Sequence, residues 1–144
     1  MLFEIWKAVP SVPGLLASSL GRLMIVPHFE DMPRGGPRQY GGQPTLGQWN
    51  GTRYVYPRRG YKTLKVARLV CEAFNGPPSK ETPVCMHIDE NSRNNRPENL
   101  RWGTQKENLN APGFLEYCRS RTGENNPAKK GARRYETRTL PILR

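Results

Sequence analysis

The sequence predicts a small α+β fold whose core is surrounded by loop-rich, basic arms. The chain has 144 residues and only 35% of them are hydrophobic, so the interior that it can bury is small. Fourteen glycines and fourteen prolines divide the chain into short elements. Between these breaks, segments with the alternation of strands are followed by segments with helical spacing, which predicts mixed secondary structure.

The net charge indicates the class of partner. A formal charge of +11 on so short a chain favours a polyanion, because basic side chains that neutralise phosphates release counterions. The other interpretation is a general gain in solubility, as in many basic ribosome-associated proteins. We expect nucleic acid as the partner.

The charges are unevenly distributed along the chain. Residues 51–80 contain seven Lys or Arg and one acidic residue, and residues 118–144 contain eight and two. Residues 81–117, between them, contain four basic and six acidic residues. Basic segments that flank a mildly acidic centre are expected where arms bind phosphates around a metal site.

Neither membrane spans nor secretion signals are predicted. The most apolar run, residues 15–27, contains Arg22 and is too short to cross a bilayer. Cys71, Cys85 and Cys118 lack CxxC spacing, which favours reduced thiols over disulfides or a zinc ribbon. We therefore expect a soluble, cytoplasmic protein that does not contact membranes.

The first fifty residues give weak structural signals. Residues 1–26 mix short apolar stretches with prolines, which predicts one or two strands. Residues 27–50 are rich in proline and glycine and have no periodicity. This second segment is predicted to be a mobile connector.

Stronger patterns begin at residue 51. Residues 52–56 and 61–65 alternate like strands and are separated by Pro57-Arg58-Arg59-Gly60, which predicts a hairpin. Apolar residues then recur at helical spacing from Val66 to Phe74, until Asn75-Gly76-Pro77-Pro78 ends the helix. A hairpin followed by a short helix is expected.

A strand, a loop, a second strand and a capped helix are predicted next. Residues 83–87 and 99–102 are the strand candidates, and residues 88–98 form the polar loop between them. Thr104 and Glu107 have the spacing of a capping box, so a helix should begin after Thr104.

Three polar residues mark this unit and could converge on one point: His87 ends the first strand, Asn99 begins the second, and Asn108 lies in the helix. They follow one another with offsets of 12 and 21 residues from His87. With His87-Ile88-Asp89-Glu90-Asn91 and the run from Asn94 to Thr104, they resemble the HNH endonuclease motif of phage and homing enzymes. Residues 65–78 are similar to the helix that precedes the motif in that subfamily.

The resemblance implies a fold and an activity. The fold is the ββα-metal, or His-Me, finger, here within an HNH nuclease domain at residues 51–112. The activity is that of a metal-dependent endonuclease, a hydrolase that cleaves phosphodiester bonds of double-stranded DNA. A phage or homing enzyme is the implied type.

Two further resemblances lie at the ends of the chain. Residues 1–26 are similar to a nuclease-associated modular motif, although Leu15 and Ala17 stand where that motif favours Tyr and Val. Residues 123–131 resemble a basic DNA-contacting motif that trails the same enzymes. Residues 113–144 are accordingly expected to be a basic, flexible tail that contacts DNA.

The implied roles agree with the chemistry of the side chains. A neutral imidazole near pH 7 can take a proton from water, so His87 is the predicted general base. Asn99 would bind backbone groups near His87 and orient it, as the second catalytic residue. Mg²⁺ prefers oxygen ligands and retains waters, so the amide of Asn108 and DNA phosphates would hold it, or Mn²⁺ or another divalent ion.

Met86 departs from the family pattern, in which the residue before the histidine is commonly a ligand such as Asp or His. A thioether is a poor partner for Mg²⁺. Three accounts stay open: a site with Asn108 as its one protein ligand, a site supported by Asp89 as a metal or loop residue, and a degenerate nuclease. The last account makes the chain a non-catalytic DNA-binding protein on an HNH scaffold, which is the alternative function.

Other polar residues are assigned by local context. Asn91, Asn94 and Asn95 are expected to form turns of the polar loop, and His28 to be a surface residue. Arg58 and Arg59 at the hairpin tip either are merely solvated or bind phosphates. The candidate DNA-binding residues are Arg58, Arg59, Lys62, Arg68, Arg96, Arg101, Lys129 and Lys130.

Overall fold

Residues 3–126 are described by the computed structural model, and they form a small mixed α+β protein with several small sheets and few helices. The predicted α+β class is confirmed. Residues up to Gln105 form one compact unit, and a second begins at Lys106. No helix in the described part of the chain is long and apolar enough to cross a membrane.

The N-terminal segment folds into a three-stranded antiparallel sheet, where the sequence predicted one or two strands. Its strands are β1 (Trp6–Ala8), β2 (Leu15–Ser18) and β3 (Leu23–Ile25), in that spatial order. The side chain of Ser18, fully buried, shapes the turn between β2 and β3: its Oγ accepts hydrogen bonds from the backbone N–H of Leu20 at 3.2 Å and of Arg22 at 3.0 Å.

The segment predicted to be a mobile connector, residues 27–50, contains regular structure. Two strands, β4 (His28–Asp31) and β5 (Pro37–Tyr40), pair antiparallel as a hairpin, with Asp31 opposite Pro37. Pro33, Gly35 and Gly36 lie at the turn of this hairpin and not in an unstructured linker. Because neither strand contains a buried residue, no alternation of apolar side chains marks them in the sequence.

The predicted hairpin and helix after residue 51 are confirmed. A sheet of order β6-β7-β8 contains β6 (Gln48–Trp49), β7 (Tyr54–Arg58) and β8 (Tyr61–Lys65), and α1 (Val66–Asn75) follows directly. The helix ends at Gly76, whose φ of +76° favours glycine.

One hydrophobic core joins the N-terminal sheet to α1. Its buried members are Val9, Val12, Leu15, Ala17, Leu23, Val66, Leu69, Val70, Cys71 and Leu100. Polar contacts support this packing, because the Glu72 carboxylate accepts from the backbone N–H of Ser11 at 2.8 Å and from its hydroxyl at 2.7 Å. The N-terminal sheet is thus part of the same folded unit as the helix that precedes the HNH-like segment.

The strand, loop, strand and helix predicted after residue 83 are also found. They are β9 (Val84–His87), β10 (Leu100–Gly103) and α2 (Gln105–Leu109), with a 3-10 turn at Pro97–Asn99 before β10. The two strands pair antiparallel. The helix begins directly after Thr104, as the capping pattern predicted.

The predicted flexible tail begins with regular structure. A third helix, α3 (Pro112–Ser120), is followed by a 3-10 turn at Gly123–Asn125. Proline at the first helical position explains the start of α3, since its missing N–H would have had no partner there. The remainder of that tail, residues 127–144, lies outside the described residues.

Candidate active site

The β9–β10 hairpin places His87 beside the polar loop. His87 is the last residue of β9 and pairs with Leu100, the first of β10. Met86, its neighbour, is only 9% exposed, whereas His87 is half-buried. Because side chains alternate along a strand, burial of Met86 leaves the imidazole on the other face of β9 and partly accessible.

Helix α1 and the glycine that follows it support this hairpin. Arg68 donates from its guanidinium to the carbonyl oxygen of Pro83 at 2.8 Å, just before β9, and its guanidinium carbon lies 5.0 Å from the ring centre of Trp102 on β10. Trp102 in turn donates from Nε1 to the carbonyl oxygen of Gly76 at 2.8 Å. These contacts join Arg68, predicted as a DNA-binding residue, to β10 and to the residue that precedes β9.

Asn99 holds the two ends of the polar loop together. Its backbone carbonyl accepts from Ile88 N at 2.8 Å, and its Oδ1 accepts from Asp89 N at 3.0 Å. Its Nδ2 donates to the Asp89 carboxylate at 2.8 Å and to the carbonyl oxygen of Asn94 at 2.9 Å. Only 7% of Asn99 is exposed, so these bonds replace water and hold the backbone that follows His87.

The Asp89 carboxylate organises the outer part of the loop. Besides Asn99, it accepts from Asn94 Nδ2 at 2.9 Å and from Asn91 N at 2.8 Å. These donors hold the pKa of Asp89 below its ordinary value, with the bond from Asn94 as the largest cause and those from Asn91 and Asn99 next. Asp89 is therefore the ionised centre of a ring of loop donors.

Asn95 is the site residue that sequence reasoning missed. It was grouped with Asn91 and Asn94 as a turn former, and Asn91 does accept from Arg93 N at 3.0 Å in such a turn. Asn95 instead points inward, is only 4% exposed, and places its Oδ1 2.8 Å from Nε2 of His87. Nothing in an asparagine-rich run distinguishes the one amide that faces the imidazole, so no local signal could have found it.

The basic candidates occupy several places. Arg59 and Lys62 are exposed on the β7–β8 hairpin, and Arg58 there lies 4.6 Å from the ring centre of Tyr61. Arg96 in the polar loop and Arg101 on β10 are exposed. Lys129 and Lys130 lie outside the described residues. His28, expected to be a surface residue, is exposed and bonds Val26 O and Glu30.

The residues near the predicted metal site include an amide, whose oxygen is a ligand type that hard divalent ions accept. Within residues 3–126 there is no group of three or more His, Cys, Asp or Glu of the kind that cages zinc, and the three cysteines are free thiols. Asn108 is a half-buried residue of α2 that can offer an amide oxygen. Amide, phosphate and water oxygens together fit Mg²⁺, so the residues present are compatible with such an ion. The approach of Asn108 to His87 stays a prediction.

Comparison with known protein families gives a match for this part of the chain. Residues 65–110 match the family model described as HNH endonuclease. The matched segment runs from the start of α1 through α2 and contains His87, Asn99 and Asn108. Comparisons with curated proteins and with solved structures gave no match.

Proposed function

We propose that this chain, whose residues 65–110 match the HNH endonuclease family model, cleaves double-stranded DNA by metal-assisted hydrolysis with His87 as general base. The match points to a nuclease, which is a hydrolase acting on nucleic acid. The proposal that His87 is the general base rests on the position of its imidazole. The ring is half-accessible at the end of β9 and is hydrogen-bonded to the buried amide of Asn95. Enzymes hold a general base in this way, because a fixed imidazole meets its water in one orientation.

The proposed reaction is hydrolysis of one phosphodiester bond. The unprotonated nitrogen of His87 takes a proton from water, and the water oxygen forms a bond to phosphorus as the bond from phosphorus to the 3′ oxygen breaks. The proton stays on the imidazole until solvent removes it, and the leaving oxygen is protonated to a hydroxyl by water. A divalent ion, when bound, supplies positive charge that offsets the charge developing on the phosphate.

Asn108 is the residue proposed to hold that ion, together with phosphate oxygens of the DNA. The burial of Met86 supports a site with one protein ligand. In this family the residue before the histidine is commonly a metal ligand, whereas here its side chain is buried and packs in the interior. Asp89 is committed to three donors of its own loop, which favours loop support over metal binding.

Substrate binding is proposed to rest on exposed basic side chains. Arg59 and Lys62 on the β7–β8 hairpin and Arg96 in the polar loop present positive charge to solvent, within a chain of net charge +11. Phosphate contacts of this kind position a duplex without reading its sequence. We also propose that the enzyme is of the phage or homing type, as the resemblance implies.

The proposal is tested on supercoiled plasmid with purified full-length chain. We expect conversion to nicked or linear DNA in Mg²⁺ or Mn²⁺ and its loss on chelation, because the charge on the phosphate is then no longer offset. Gel-shift binding should persist without the ion, since the basic side chains supply most of the affinity. Binding without cleavage under any divalent ion would instead establish the non-catalytic DNA-binding alternative.

The basic C-terminal segment makes a separate prediction. Residues 122–144 contain six Lys or Arg and two acidic residues, and truncation after Arg121 leaves α3 complete. Every phosphate that the truncated chain no longer neutralises should reduce the slope of log affinity against log salt by roughly 0.9. The truncated chain should therefore bind DNA more weakly and with less salt dependence. Cleavage at saturating chain concentration should persist.

Binding isotherms over a salt series measure this slope. The full chain with Lys129→Gln and Lys130→Gln is the matched control, since it removes two charges and no backbone, and its slope should fall by at most roughly 1.8 for two phosphates. A slope unchanged by the truncation would show that these residues do not bind DNA.

A further inference from the structure

The hydrogen bond between His87 and Asn95 determines which imidazole nitrogen can act. Nε2 of His87 lies 2.8 Å from Oδ1 of Asn95. An amide oxygen only accepts hydrogen bonds, so Nε2 must carry a hydrogen to make this bond. In the neutral imidazole the lone pair that can take a proton is then on Nδ1.

Asn95 is itself held by the N-terminal sheet. Gly21, in the turn between β2 and β3, is buried, and a Cβ built there would lie 2.7 Å from both the carbonyl carbon and the carbonyl oxygen of Asn95. Only a residue without a side chain allows this approach. Gly21 also has a φ of +77°, which glycine adopts at little cost.

The turn that contains Gly21 has a fixed shape. Ser18 N donates to Arg22 O at 2.8 Å, Gly21 N donates to Ser18 O at 3.0 Å, and the buried Ser18 hydroxyl accepts from two further N–H groups of the turn. The strands on either side contribute Ala17 and Leu23 to the core shared with α1. A rigid connection therefore runs from this core, through Gly21, to the backbone of Asn95.

We propose that Asn95 is a positioning residue for His87, and that the Gly21 turn of the N-terminal sheet holds Asn95 in place so that Nδ1 of His87 receives the proton. Asn95 acts through the imidazole and does not need to touch the substrate. The N-terminal sheet is thereby a support of the catalytic loop. The assignment of Nδ1 as the reacting nitrogen rests on the proposed function, whereas the hydrogen on Nε2 does not.

Nitrogen NMR of the imidazole rings in the full, metal-free chain tests this proposal without any cleavage assay. The chain has two histidines, so the spectrum of His87→Ala assigns both. At a pH where the rings are neutral, protonated and unprotonated ring nitrogens resonate at well-separated shifts. We expect His87 to carry its hydrogen on Nε2 in the unchanged chain.

Two substitutions with side chains of similar size distinguish the effect of the acceptor oxygen from the effect of packing. Asn95→Leu removes the acceptor oxygen and should shift His87 towards a mixture of tautomers, with kcat lowered by roughly 10- to 100-fold and little change in KM. Asn95→Asp keeps an acceptor oxygen at the same position and should restore the Nε2–H form. A purely structural role for Asn95 would lower stability without moving the tautomer.

A matched pair of glycine substitutions tests the support from the N-terminal sheet, including the case in which Asn95→Leu does not fold. Gly21→Ala places a methyl group against the backbone of Asn95 and should shift the His87 tautomer in the same direction as Asn95→Leu. Gly14→Ala has equal backbone strain, at a φ of +78°, but no atom within 4 Å of its Cβ, so His87 should be unaffected.

The spectra of these variants test both parts of the proposal, the role of Asn95 and the support by the Gly21 turn. A His87 spectrum that Asn95→Leu leaves unchanged would overturn the role of Asn95, and equal spectra for Gly21→Ala and Gly14→Ala would overturn the support by the turn. If the unchanged chain cleaves no DNA while the tautomer responds as described, the positioning role of Asn95 is established and only the proposed nuclease function fails.

Discussion

His87→Ala is expected to abolish DNA cleavage while leaving DNA binding largely intact. A general base contributes roughly 10²- to 10⁴-fold to the rate, whereas affinity comes mainly from phosphate contacts that the imidazole does not make. Plasmid cleavage under single-turnover conditions and gel-shift binding at one salt concentration measure the two effects separately.

His28→Ala is the matched control for this substitution. His28 is the other histidine of the chain, it is exposed on β4, and its ring bonds the carbonyl oxygen of Val26 and the carboxylate of Glu30. Its removal should leave cleavage unchanged. Near-normal cutting by His87→Ala would remove His87 from the mechanism, and an equal loss in both variants would indicate a non-specific effect.

Asn99→Ala is expected to have the largest effect on stability among single substitutions in the loop. The substitution removes the side-chain amide that binds Asp89 N and the carbonyl oxygen of Asn94. Asn99 itself is only 7% exposed. A buried polar group left without a partner costs about 1–3 kcal/mol, so the free energy of unfolding should fall by about 2–4 kcal/mol. Cleavage should fall as well, because the backbone after His87 loses its anchor.

Urea denaturation measures the change in stability. Asn91→Ala is the control: Asn91 is exposed in the same loop, and its side chain accepts one bond, from Arg93 N. That change should cost less than about 1 kcal/mol, as expected for surface positions. Equal losses of stability in the two variants would contradict the central role assigned to Asn99.

The regions with strong periodicity were predicted well because their signals are local. The alternation in residues 61–65, the helical spacing from Val66 and the capping pattern at Thr104 each lie within a few residues, and the corresponding elements begin where expected. The strands within residues 27–50 were not predicted, because no local apolar pattern marks them. The hairpin of β4 and β5 contains no fully buried residue, so hydrogen bonds between its strands and not an apolar pattern define it.

In the candidate site, too, some residues were predicted from the sequence and one was not. The offsets that join His87 to Asn99 and Asn108 carried the resemblance to HNH endonucleases, and residues 65–110 match the family model of that description. The partner of the imidazole was not predictable, since Asn91, Asn94 and Asn95 are alike in type and lie in one loop. Burial separates them: Asn95 lies beneath the Gly21 turn, and Asn91 is exposed.

By itself, the sequence determined the order of the elements in the second half of the described chain, the resemblance of residues 65–110 to HNH endonucleases and the positive charge that suits a nucleic-acid partner. Only the tertiary structure decided that the N-terminal sheet shares a core with α1, that Met86 is buried, and that Asn95 faces His87. The physical reason is the range of the interactions. Periodicity and charge are read from neighbouring residues, whereas the close approach of Gly21 to Asn95 exists only after distant segments have packed.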